Sequence, residues 1–380
     1  MRKGTGLSLI LGLAAASCDG TEPLDDAGLP GADGGIAAID ARGPSDATGA
    51  GDAAGAGDAV TTDGGSIDGG SIDGGSTDGG SDPLGTWLPI ASLRRGPRQE
   101  TAVVALRNEV VVIGGFNAAG QVMATVEAYD ATLDQWRDLA SLPLALHHAN
   151  AAVVAGRIYV LGFLTGLNFA ADGRGFVYDP DANRWDPVAS MPAGTERGGS
   201  GTAALDGAIY VAGGLRGGSV ADFSRYDPAL DRWQPLPDLP EALDHLVAGS
   251  VGGEVHLIGG RAAGITSHNS RVRAYSPVSA TFRDRAPMPT SRGGAAAAVH
   301  QDQIYVFGGE GNPAPGSSGV FAAVEVYDPT QDRWRSLTPM RTPRHGTGAA
   351  AIAGRIIVPG GADRQAFAAV DTCEAYLPSP

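Results

Sequence analysis

Most of the side chains in this sequence that could do chemistry together sit in six short segments. They read RQET (98–101), LHHA (146–149), RGGS (197–200), LDHL (243–246), RGGA (292–295) and RHGT (344–347), spaced 46 to 52 residues apart. Four open on arginine: Arg98, Arg197, Arg292 and Arg344. The other two carry His147, His148 and His245, and His345 follows Arg344. A guanidinium is a planar fork of donors that suits a carboxylate. If the segments converge, they form a cationic funnel for a carboxylate or another anion. The competing reading is internal pairing of the arginines with Glu127, Glu325 and Glu374, and the sequence leaves both open.

The elements that would position these groups also repeat. Each segment precedes a run such as VVVIGG (110–115), IYVAGG (209–214) or IYVFGG (304–309). A tyrosine follows at 129, 178, 226, 275, 327 and 376, and an aromatic marker stands at Trp87, Trp136, Trp185, Trp233, Phe282 and Trp334. Each unit holds four short runs rich in Val, Ile, Tyr or Ala, punctuated by Gly, Pro, Asp and Asn, which predicts four strands. The link Arg107-Asn108 suits a two-residue hairpin turn. Four antiparallel strands cannot bury their own faces, so the units must stack.

Three markers in fixed order at this period resemble the kelch repeat, and the likeness covers 84–378. It implies an all-β, six-bladed β-propeller with four antiparallel strands per blade. The chain enters on a fourth-strand marker, Trp87, and leaves on a third-strand marker, Tyr376. The N-terminal strand is therefore expected to complete the last blade and close the ring.

The resemblance places strand one innermost, and a binding mouth where the loops into strand one meet the loops joining strands two and three. Arginine at the start of the six segments belongs to the kelch pattern itself. The candidate ligand-binding set is Arg98, His147, His148, Arg197, His245, Arg292, Arg344 and His345, with Asn117, Arg216 and Glu310 from the second group of loops. Segment 310–323 is the longest of those loops, and long loops on rigid scaffolds carry specificity. Blade two departs from the pattern, with Gly162-Phe163 in place of Gly-Gly, and Phe163 reads as filling between blades.

Upstream lie two further segments. Residues 1–18 read as a secretion signal, with Arg2 and Lys3 before a short apolar stretch. AASC at 15–18 resembles a bacterial lipobox, which makes Cys18 the lipidation site, in place of an ordinary cleaved signal, and points to an exported protein in a cell envelope. Residues 19–83, almost free of bulky apolar side chains, read as a disordered linker. Their five-residue repeat at 63–82 does not match the nine-residue period of calcium β-rolls.

Charge and composition exclude several functions. The net charge of −15 comes mostly from 14 acidic residues between Asp19 and Asp82. The repeat region is nearly balanced, so nucleic-acid binding has no electrostatic support. Lys3 is the only lysine, which removes Schiff-base and P-loop chemistry from the mature chain. There is no HExxH, C-x-x-C or G-x-S-x-G. His147 and His148 are adjacent, so in a strand they would face opposite ways, and the remaining histidines are spread over other blades. No metal and no cofactor is therefore expected. Galactose oxidase-type copper radical chemistry shares the kelch fold but needs a Tyr–Cys cross-link, and Cys373 reads as a buried core thiol.

The expected function is a membrane-anchored, exported, non-catalytic interaction module. Its partner would be a protein, peptide or glycan with acidic groups. One alternative is an enzyme of the sialic-acid mutarotase type, with Glu100, Glu196 or Glu310 as acid or base. The other is a structural envelope protein.

Overall fold

The computed structural model describes residues 84–379. The expected signal, Cys18 and the linker lie outside the described residues. Six four-stranded antiparallel sheets form six blades. Blade one comprises Ala102–Leu106, Glu109–Ile113, Val126–Asp130 and Gln135–Asp138. The last blade takes Ala350–Ile352, Arg355–Pro359 and Cys373–Leu377 from the C-terminal end and Thr86–Ile90 from the N-terminal end. Trp87 pairs with Tyr376 in that closing strand, as the marker order predicts.

The repeated markers have one physical purpose: they fasten neighbouring blades. Each marker tyrosine lies directly across from its marker aromatic, as in Tyr129↔Trp136, Tyr226↔Trp233 and Tyr275↔Phe282. Ring centroids in these pairs are 5.1–5.2 Å apart, a favourable aromatic separation. The tryptophan then reaches the adjoining blade. Trp136 Nε1 donates to Ala91 O at 2.7 Å and Trp233 Nε1 to Ala189 O at 3.0 Å. The tyrosine hydroxyls donate to turn carboxylates such as Asp134 and Asp231, which also accept the backbone N–H of Ala91 and Ala189. One turn residue thus satisfies a buried phenol and an inter-blade amide together.

The double glycines mark close backbone approach. A side chain on Gly308 (φ 59°) would put its Cβ 2.1 Å from Arg344 O. In blade two, Phe163 is fully buried and stacked on Phe176. The hairpin there runs on through Arg157–Thr165 and Ala170–Asp179, longer than in any other blade. Cys373 is buried, and burial pushes its thiol up to about 12.

Candidate functional site at the mouth of the axial channel

The six approach segments are equivalent, and each of their first three positions has its own structural task. At the first position, Arg98, Arg197, Arg292 and Arg344 are at most 1% exposed and do not line a mouth. Arg98 pairs with Glu127, Arg292 Nη1 with Glu325 Oε2 at 2.6 Å, and Arg344 Nη1 with Glu374 Oε2 at 2.5 Å. In blade three the third strand offers Ser224 in place of Glu. Arg197 therefore donates to Ser224 Oγ and to the carbonyls of Thr195, Val211 and Gly213. Burial lowers its pKa to about 10. The cationic funnel expected from these four residues is replaced by internal pairing. A buried guanidinium next to a carboxylate in its own blade has no reason to reach solvent.

The second position pairs with the residue that follows the double glycine. Isolated bridges join His147 to Leu164, Asp244 to Arg261, Gly293 to Glu310 and His345 to Ala362. These bridges carry Arg261 and Glu310 to the mouth.

The third position forms a closed ring on the axis. Glu100 N donates to Gly346 O (2.5 Å), Gly346 N to Gly294 O (3.0 Å), and Gly294 N to His245 O (3.0 Å). His245 N then donates to Gly199 O (2.9 Å), Gly199 N to His148 O (2.7 Å), and His148 N to Glu100 O (3.1 Å). Every member is left-handed, with φ of 53°, 50°, 64°, 52°, 60° and 65° in chain order. Glycine takes this conformation freely. For Glu100, His148 and His245 it costs about 1–2 kcal/mol each. These are the three ring members whose side chains can project toward the axis.

They converge. His148 Nε2 lies 3.0 Å from His245 Nε2 and 3.1 Å from Glu100 Oε2. His147 and His148 do not face opposite ways: the left-handed turn at His148 brings their Nδ1 atoms to 2.5 Å. His345 Nδ1 lies 3.8 Å from both Glu100 Oε1 and Glu310 Oε2. Arg261 holds Asp244 (Nε to Oδ1, 2.8 Å) and Glu310 (Nη1 to Oε1, 2.6 Å). Burial raises the Glu100 carboxyl, but His148, His245, His345 and Arg261 outweigh it and hold the pKa at about 2. Burial pushes His148 well below the usual imidazole range and lowers His147. Burial also raises Asp244, but His245 and Arg261 hold it below the usual carboxylate range.

Above this ring is a cavity of about 160 Å³ framed by Phe116, Phe169, Ile265 and Phe367. Below it the channel walls are mostly Ala, Val and Thr, with Ser200 and Leu246. Among the other expected residues, Asn117 caps its own loop through the N–H groups of Ala119 and Gln121. Arg216 pairs with Asp222 at 2.9 Å. Glu196 accepts from Gly194 N in its local turn. Arg261, Asp244, Phe169 and Phe367 were not anticipated. Arg261 could have been found, because it directly follows the GG of VHLIGG.

The Kelch motif profile matches residues 97–143, 196–240 and 291–341. The Kelch-like protein terF of Aspergillus terreus is 36% identical over 281 residues, covering 70% of this chain and 61% of terF. Kelch-like protein 35 of Mus musculus is 31% identical over 276 residues, 72% of this chain and 44% of that protein. The chain thus spans less than two thirds of the length of these relatives. The solved structure of YjhT superposes with a TM-score of 0.62 at 17% identity, covering 75% of this chain and 95% of YjhT, a likeness of fold. Marker register and sheet order agree that residues 84–379 are a six-bladed β-propeller, and the profile identifies Kelch repeats within it.

Proposed function

We propose that this Kelch propeller is a protein-interaction module that docks its partner at the mouth of the axial channel. The observation that carries this reading is the rim of the preformed cavity. Phe367 is 53% exposed and Ile265 44% exposed on loops joining second to third strands. Leu167 is 68% exposed on the blade-two hairpin on the same face. Apolar side chains around a polar floor are what a compact docking site offers.

The expected acidic character of the partner rested on four guanidiniums that are sequestered. Arg261 remains, and Asp244 and Glu310 already hold it. The partner is therefore proposed on apolar contact, with a peptide segment of a protein preferred to an acidic glycan. A mutarotase-like reaction loses the same arginines as carboxylate holders. Anchoring in a bacterial envelope through a lipidated Cys18 is proposed on the 15–18 motif alone.

A photo-crosslinking side chain placed at 367 in the full chain should capture the partner. The same probe at 278, exposed on a turn joining third and fourth strands at the other end of the blades, should not. Equal capture at both positions would rule out the mouth as the docking face.

A further inference from the structure

We propose that Glu100, His148 and His245 bind one first-row divalent transition-metal cation on the propeller axis, with His345 as an adjacent nitrogen donor. This goes beyond the docking reading and does not depend on it. One ligand atom from each of Glu100, His148 and His245 lies within 4.8 Å of the others. Two of the separations, 3.0 and 3.1 Å, match the spacing of about 3.0 Å between adjacent ligands in an octahedral site with bonds of about 2.1 Å. A side-chain rotation of Glu100 closes the third edge.

Proton accounting for neutral imidazoles, with one N–H per ring, shows why a cation belongs there. His147 Nε2 lies 2.9 Å from Gly166 O and must donate to it, which leaves His147 Nδ1 an acceptor. His148 Nδ1, 2.5 Å away, must then be the donor, so His148 Nε2 is a lone pair. His245 Nδ1 is 2.6 Å from Asp244 Oδ1, and a lone pair there would face a carboxylate. The proton therefore sits on Nδ1, and His245 Nε2 is also a lone pair. His345 Nε2 donates to Arg364 O at 3.0 Å, so its Nδ1 is a third lone pair. That Nδ1 is buried and without a hydrogen-bond partner among the described residues, on a side chain 3% exposed. Three imidazole lone pairs thus gather around the Glu100 carboxylate.

The neighbouring groups fit a bound dication. Asp244 behind His245, and His147 behind His148, orient the ligating nitrogens as outer partners of metal sites do. Glu100, Asp244 and Glu310 outnumber the one guanidinium in the cluster, Arg261. With neutral imidazoles this leaves a net negative site. Arg261 Nη2 lies 2.5 and 3.0 Å from the two ring nitrogens of His245. Arg261 Nη2 therefore competes for the His245 Nε2 lone pair, and a cation that takes this nitrogen displaces it while Nε and Nη1 stay on Asp244 and Glu310. Two nitrogens and a carboxylate select zinc, cobalt, nickel, copper or iron over calcium or magnesium. Three protein donors leave coordination positions toward the cavity.

The test is a Co(II) titration of the full chain after chelator treatment, read by visible d–d absorption and by bound metal per chain. One Co(II) per chain is expected, displaced by Zn(II). His148→Gly and His245→Gly, which install the residue that the other ring positions use, should each weaken binding at least 100-fold. Asp244→Asn should weaken it 10- to 100-fold. Circular dichroism of the metal-free variants verifies that each is folded. Absence of stoichiometric binding to the unaltered chain overturns the proposal. So does binding retained at full strength in both His→Gly variants, which would assign the ion to the Asp-rich segment at 63–82.

Discussion

The propeller's axial ring has six equivalent positions that behave in two ways. Blades three, five and six place Gly199, Gly294 and Gly346 there, and blades one, two and four place Glu100, His148 and His245. The backbone is the same in all six, left-handed and hydrogen-bonded to the next blade. Where glycine stands, scaffold and sequence agree. Where Glu or His stands, the chain accepts local strain, and the strained side chains meet at one point. A departure from the scaffold's own preference is thus a better marker of function than adherence to it. The arginines two residues upstream of ring positions teach the converse: they follow the repeat pattern, and they build the scaffold.

The largest effect should come from that scaffold. Arg98→Ala leaves Glu127 buried without its cation, though still bonded to the Arg95 N–H, and should cost about 3–5 kcal/mol in denaturant unfolding. A loss below about 1 kcal/mol would return the arginines to the mouth.

Next is a contrast between two imidazoles of blade four. His245 is wired to Asp244, whereas among the described residues neither ring nitrogen of His256 makes a hydrogen bond of good geometry, and the side chain is fully buried. Burial lowers the His256 pKa from 6.5 to about 4. A depressed folded-state value favours the neutral folded form above pH 6.5, and this stability is lost as pH falls toward 4. The loss should be up to about 3 kcal/mol. His256→Leu should flatten the decline over that window. An unchanged pH profile would mean that His256 does not set it.

A smaller effect tests the ring itself. Gly199→Ala meets no atom closer than 3.5 Å, so its cost is conformational, about 1 kcal/mol at φ 64°. Smallest is the reverse change. Glu100→Gly relieves the left-handed strain but also removes a carboxylate that His148, His245, His345 and Arg261 stabilise in the fold, so the two effects oppose and the metal-free protein should change by less than about 1 kcal/mol. A clear destabilisation would make Glu100 part of the scaffold and erase the distinction between the two kinds of ring position.

The order of markers made the blades legible. Tyr and Trp recur at fixed offsets because each pair must meet across one strand pair and fasten the next blade, a constraint local enough to leave a period in the chain. Closure through Trp87 and Tyr376 was legible for the same reason. The site was legible in part. His148, His245, His345 and Glu310 have readable places in the repeat, as does Arg261 after its GG, but nothing along the chain records the bridge to Asp244 that holds Arg261 at the mouth. An extended strand would put His147 and His148 on opposite faces, but the left-handed backbone at His148 brings their rings together.

The sequence by itself determined the repeat, the number of blades and the closing strand, since these follow from turn chemistry and alternation along the chain. Whether a given arginine faces solvent or a buried carboxylate was decided by the tertiary structure, because Arg98 and Glu127 meet only once the first and third strands are folded together. The convergence of Glu100, His148 and His245 was decided there too. Residues from blades one, two and four share an axis only when the ring is closed, and no spacing along the chain records that distance.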